Sequence, residues 1–155
     1  MIELSPKQII EELVELLPLE PPRAFALVGA PGMGKSACVE QAAKRLNARF
    51  VLEQPLLREP IDYAGVPWPV VREGQEPYVE QLPMAFIQKV MRLAREDGER
   101  LTIVFFDDIG PAAGATQAAL GQFIQAREFA GQAVPSNVRF VIATNRRKDK
   151  SGVGG

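Results

Sequence analysis

The chain has 155 residues, 46% of them hydrophobic and 24% charged, with a formal net charge of −1; that suffices for one domain with its own core and is short for two. The charge balance excludes a global basic field for nucleic acid and an acidic solvating tail, and no apolar run approaches the ~20 residues that cross a bilayer. The only cysteine, Cys38, excludes an internal disulfide, and the absence of histidine excludes Ser-His triads, histidine bases and the commonest zinc ligand.

The N-terminus is acidic and carries a proline, so it does not read as a signal peptide; with a lone thiol this points to the reducing cytoplasm. SPKQIIEELVELL, Ser5 to Leu17, is expected to be a capped amphipathic helix. Ser5 and Gln8 have capping-box spacing, Pro6 suits the first turn, and Ile9, Leu13, Leu16 and Leu17 share one face. PLEPP, residues 18–22, stops it, so residues 1–22 form an N-terminal helix and linker. Ala24 to Val28 is a short buried strand, Lys35 to Leu46 a helix, and Arg49 to Glu53 a second strand. Residues 55–83 hold most of the remaining prolines and the turn-rich REGQEP, and read as an inserted hairpin or irregular loop. Met84 to Arg95 is a helix, LTIVFF (101–106) a central parallel strand, Thr116 to Ala126 a helix, and Val138 to Thr144 another buried strand. Strands alternating with helices predict a single α/β domain over residues 1–155 with a mostly parallel sheet.

Three strand ends carry the chemistry. After the first strand comes GAPGMGKS, which fits the G-x-x-x-x-G-K-[ST] phosphate-binding loop. Its glycines let successive N–H groups turn inward on phosphate oxygens, and the next helix presents its positive end to the same anion. The phosphate-binding stretch is expected to be Gly29, Ala30, Pro31, Gly32, Met33, Gly34, Lys35, Ser36 and Ala37. Lys35 supplies charge to the β- and γ-phosphates, and the Ser36 hydroxyl suits Mg²⁺. LTIVFF delivers Asp107 and Asp108 at its C-terminal end, where open α/β sheets bind ligands. Asp107 is placed to hold Mg²⁺ and Asp108 to polarise an attacking water. VRFVIATN ends on Asn145, whose amide can bond the γ-phosphate or orient the water. Lys35, Asp108 and Asn145 are thus the catalytic candidates, Ser36 and Asp107 the metal ligands, and ATP with Mg²⁺ the expected ligands.

GAPGMGKS resembles the GPPGTGKT form of AAA+ ATPases, and the three motifs are similar, in order, to Walker A, Walker B and sensor 1 of that superfamily. DDIGPAAGATQAALGQFIQ resembles the DEINRAPPxxQxALLxxMxE segment of the MoxR-like branch through Gln117, Ala119 and Leu120; ATNRRKDKSGVGG and IDYAGVP resemble further segments of that branch. The resemblance covers about residues 22–155. It implies a three-layer P-loop core, Mg²⁺-dependent ATP hydrolysis, a hexameric ring and remodelling of a protein partner whose identity the sequence does not show. It also implies a chain that continues after sensor 1 into a further strand, an arginine finger, a helical lid and sensor 2, none of which lies in these residues; the Ala24 to Val28 strand is then expected at an exposed sheet edge. Asp108 stands where the family has glutamate. Its reach is shorter by about 1.5 Å, and misplacement on that scale can cost about a hundredfold in rate. A switch that binds nucleotide with little hydrolysis is therefore a rival reading, and a P-loop kinase a weaker one. Cys38 reads as a packed side chain, Trp68 and Tyr78 as covers of a core edge with partner contact the alternative, and Arg146, Arg147, Lys148 and Lys150 as a solvated loop, or else as contacts to a neighbouring subunit or phosphates.

Overall fold

A computed structural model describes residues 4–29 and 34–145. The first helix, α1 (Pro6–Leu16), begins on the expected capping box. The Ser5 hydroxyl accepts from the Gln8 amide at 3.2 Å, and the Gln8 side chain accepts from the Ser5 amide at 2.8 Å. Its apolar face buries Leu13 and Leu17 completely. The strands β1 (Phe25–Gly29), β2 (Arg49–Glu53), β5 (Thr102–Phe106) and β8 (Val138–Asn145) form one parallel sheet in the order β1-β8-β5-β2. Helices α2 (Lys35–Arg45), α4 (Ala85–Glu96) and α5 (Gly114–Ala126) alternate with them along the chain.

Strand alternation sorts the core into two halves. On β5, Ile103 and Phe105 point to one face and Val104 and Phe106 to the other; on β8, Val141 and Ala143 oppose Val138 and Phe140. The first set packs with Leu13 and Leu17 of α1 and with Val39, Ala42 and Ala43 of α2. The second packs with Phe86, Ile87, Val90 and Met91 of α4 and with Leu120 and Phe123 of α5. The result is a three-layer α/β fold whose two central strands are buried on both faces and are apolar there except at Thr102 and Arg139. The edge expected of the first strand is present: among the described residues β1 pairs with β8 alone, and Ala26 and Val28 are exposed.

Of the two forms expected for residues 55–83, a hairpin or an irregular loop, the hairpin is the one present. A 3₁₀ turn (Pro55–Leu57) and the one-turn helix α3 (Ile61–Ala64) lead into an antiparallel ribbon of β3 (Val66–Val70) and β4 (Tyr78–Leu82). Gly65, at φ +87°, makes the bend into β3, and a side chain there would meet Phe129 and the Leu82 carbonyl. A second small hairpin, β6 (Glu128–Phe129) with β7 (Gln132–Ala133), has no counterpart in the sequence reading. Arg127 and Ala130 turn it in left-handed backbone, as does Gly131, and two-residue strands give no periodic signal.

Candidate functional site

The C-terminal ends of β1, β8 and β5 lie side by side, so their last residues converge on one edge of the sheet. Gly29, closing β1, is in register with Asn145, closing β8. Ala30, Pro31, Gly32 and Met33, expected to cradle phosphate, lie outside the described residues. The chain resumes at Gly34, whose φ of +71° sets the entry to α2. An added Cβ there would meet nothing within 4 Å, so glycine answers a conformational demand rather than a spatial one.

The first intrahelical bond of α2 runs from the Cys38 amide to the Gly34 carbonyl at 3.0 Å. The preceding amides, including those of Lys35, Ser36 and Ala37, are the first-turn donors that a helix cannot satisfy internally. They sit at the positive end of its dipole. Lys35 folds back over this end. Its Nζ lies 3.2 Å from Asn145 Oδ1 and 3.4 Å from the Gly29 carbonyl. Two residues 110 positions apart in the chain are thereby joined, and both are catalytic candidates from the sequence. Because the ammonium can only donate, Asn145 presents its oxygen to Lys35, and its Nδ2 is left as the donor.

On the next strand, Asp107 leaves β5 with its amide bonded to the Glu53 carbonyl at 2.9 Å. Asp108 follows in left-handed backbone, φ +47°, a conformation that aspartate adopts more readily than most residues. Its Oδ1 is buried and has no hydrogen-bond partner among the described residues. A buried carboxylate oxygen without a donor is costly, so it marks a place for a donor such as water. Beyond it the chain is held shut. The Ile109 amide reaches the Ala143 carbonyl at 3.3 Å, and Gln117 Nε2 donates to the carbonyls of Gly110 and Ala112 at 3.1 and 2.9 Å.

Ser36 and Asp107 stand at the head of α2 and the end of β5, and no hydrogen bond joins them among the described residues. A hydroxyl with a carboxylate is a hard-oxygen pair of the kind Mg²⁺ takes alongside waters and substrate phosphates. No group of three His, Cys, Asp or Glu suited to a metal occurs among the described residues, so any cation cage made only of such side chains is absent from them. By donor chemistry, the Ser36 hydroxyl and the Asp107 carboxylate suit Mg²⁺ carried in with a nucleotide, as the sequence led us to expect.

The sequence reading missed a buried charge at the end of β2. Glu53 is 1% exposed. Its Oε1 accepts from Arg58 Nε and Nη2 at 3.1 and 2.9 Å, and from the Gln54 amide at 3.2 Å; its Oε2 accepts from the Tyr63 hydroxyl at 3.2 Å. Burial pushes the Tyr63 phenol well above its ordinary range, and the Glu53 carboxylate adds to the rise. The bond to Glu53, opposed by burial, raises the Arg58 guanidinium. A glutamate ending a strand has no local pattern that announces burial. Its partners lie 5 and 10 residues on, within the stretch read as an inserted hairpin or irregular loop.

Of the residues given plain readings, Cys38 is a packed thiol, buried and pushed up by desolvation. Trp68 and Tyr78 cover no core; they are 57% and 42% exposed on the β3–β4 ribbon. Arg146, Arg147, Lys148 and Lys150 lie outside the described residues. No helix among the described residues is long and apolar enough to cross a membrane.

Residues 25–151 match the model of a family described as the ATPase family associated with various cellular activities, AAA. Solved structures similar in fold include a candidate ATPase from Cytophaga hutchinsonii, at 18% identity and a TM-score of 0.50, over 94% of this chain and 40% of that one. NtrX from Brucella abortus is similar at 17% identity and a TM-score of 0.52, over 96% of this chain and 32% of that one. The chain thus spans well under half the length of either. No curated protein matches the sequence.

Proposed function

We propose that this chain, which belongs to the AAA family of ATPases, binds ATP at the converging strand ends and hydrolyses it to ADP and phosphate. The observation that carries the reading is the bond between Lys35 Nζ and Asn145 Oδ1 at 3.2 Å. It gathers the phosphate-loop lysine and the β8 asparagine at the carboxyl ends of neighbouring parallel strands, where nucleotides bind in such sheets.

Each group then has a task that its chemistry allows. The backbone from Gly29 to Ala37 and the α2 dipole neutralise phosphate. Lys35 exchanges its carbonyl and amide contacts for β- and γ-phosphate oxygens, and Asn145 Nδ2 donates to the γ-phosphate or to the attacking water. Ser36 and Asp107 would hold Mg²⁺, which supplies charge neutralisation between the β- and γ-phosphates. Asp108, whose Oδ1 awaits a donor, accepts a proton from water directed at the γ-phosphorus.

The MoxR-like branch is the finer assignment, supported by Gln117, Ala119, Leu120 and the β3–β4 hairpin entered through IDYAGVP. With it come a ring of subunits, commonly six, and a protein partner remodelled in the cytoplasm. One observation favours the rival switch: Asp108 is short for its role and held in left-handed backbone, so nucleotide can bind here with slow turnover. Titration with fluorescent ADP and ATP in the presence of Mg²⁺ tests the shared part of both readings. Lys35→Ala is expected to weaken binding at least tenfold; equal affinity in the two proteins overturns the assignment. Release of phosphate from bound ATP then separates ATPase from switch.

A further inference from the structure

We propose that the outer edge of β4 takes up an extended segment of another protein as a third strand, with a lysine or arginine of that segment facing Glu80. This goes beyond the nucleotide site and stands on a different face of the fold.

The two edges of the β3–β4 ribbon are chemically unlike. Pro67 and Pro69 on β3 have no N–H to give. An antiparallel bond pair needs a donor on both residues. The ladder therefore runs through Val66, Trp68 and Val70, opposite Leu82, Glu80 and Tyr78. The prolines face outward and leave the β3 edge without donors at those positions, a device that blunts strand addition. The same alternation turns the N–H and C=O groups of Val79 and Gln81 outward on β4. Among the described residues, no strand pairs with that edge.

Beside the open edge runs a groove of about 470 Å³, walled by Tyr78, Val79, Leu82, Phe129 and Gln132. From strand rise, inter-strand spacing and sheet thickness, one strand residue takes up about 160 Å³, so about three residues fit. That is the length needed to meet Val79 and Gln81 together. Val79 is 62% exposed on this edge.

Charge selects the occupant. Residues 66–82 carry Glu73, Glu76 and Glu80 against Arg72 alone. The only described hydrogen bond to the Glu80 carboxylate comes from the Tyr78 hydroxyl, at 3.2 Å, leaving acceptor capacity for a cation. A second copy of this chain suits the edge poorly. The antiparallel register that uses both Val79 and Gln81 would set Glu80 directly opposite its own copy, and like charges so placed are destabilising. A cationic extended segment turns that repulsion into attraction.

The test uses a fluorescein-labelled octapeptide of alternating valine and lysine, read by anisotropy and by the emission of Trp68, the only tryptophan and the cross-strand neighbour of Glu80. The peptide is expected to bind the wild-type chain. The same peptide N-methylated at alternate amides, which cannot pair along one edge, should bind at least tenfold more weakly. Val79→Pro, which removes one outward N–H and leaves the β3–β4 ladder intact, should weaken the unmodified peptide by a similar factor. Glu80→Lys should reverse preference towards a valine–glutamate peptide. Absence of binding, or equal binding of the methylated peptide, overturns the proposal even if Val79→Pro fails to fold. Self-association by sedimentation that disappears in Val79→Pro and in Glu80→Lys would assign the edge to a second copy and overturn it also.

Discussion

Replacing Arg58 by alanine strands the Glu53 carboxylate in the interior. Glu53 is 1% exposed and would keep two donors, the Tyr63 hydroxyl and the Gln54 amide, while losing the two from the guanidinium. Breaking a buried ion pair by removing one partner costs about 3–5 kcal/mol. The Arg58 side chain is 39% exposed, so water can enter where it stood, and the expected loss falls to about 2–3 kcal/mol. For a chain of this size that lowers the melting temperature by roughly 5–10 °C. The Glu53→Gln/Arg58→Ala pair should recover more than half of the loss, because an amide carries no charge to strand. Urea unfolding of both variants measures this. A local readout accompanies it: the Glu53 carbonyl receives the Asp107 amide, so hydrogen exchange at Asp107 should quicken in Arg58→Ala. A loss below about 0.5 kcal/mol, or a double variant as unstable as the single one, would refute the reasoning that burial makes this charge depend on its partner.

Asp108→Glu should keep or raise phosphate release, and Asp108→Asn should lower it by about 10²- to 10⁴-fold while nucleotide stays bound; unchanged release in Asp108→Asn would mean another group activates water. Tyr63 supplies a pH test. Its folded pKa lies above the unfolded value of about 10, so the native state keeps a proton that the unfolded state gives up. The stability this contributes is complete below about pH 10 and is lost at about 1.4 kcal/mol per pH unit above it. Tyr63→Phe, compared with wild type by urea melts at pH 9 and pH 11, should lack that component, and identical slopes would count against it. Gly65→Ala, at φ +87° with its new methyl 2.5 Å from Phe129 and 2.8 Å from the Leu82 carbonyl, should cost about 2–4 kcal/mol, measurable by thermal melting.

Much of the fold and of the candidate site is legible in the sequence because the signals are local. A continuous apolar run such as LTIVFF marks a strand buried on both faces, the Ser5–Gln8 spacing marks a helix start, and Gly34 of GAPGMGKS holds a left-handed backbone, φ +71°, that a side chain would strain. Strand alternation with helices then implies parallel order, and parallel order brings strand ends together, so Lys35 and Asn145 meet although 110 residues part them. Other features depend on what lies opposite in space. Glu53 is buried because Arg58 and Tyr63 fold over it, not because of its neighbours in the chain. Arg139 sits inside an apparently apolar strand, 1% exposed, because its Nε reaches the Leu17 carbonyl at the end of α1 at 2.6 Å and its guanidinium pairs with Glu20 at 3.2 Å. There a cation meets the negative end of a helix. The left-handed backbone of Asp108, the hairpin of β6 and β7, and the open edge of β4 likewise arise from packing and register. Propensity and periodicity act over a few residues, whereas the free energy of a buried charge or an unpaired edge depends on partners that only the folded chain assembles.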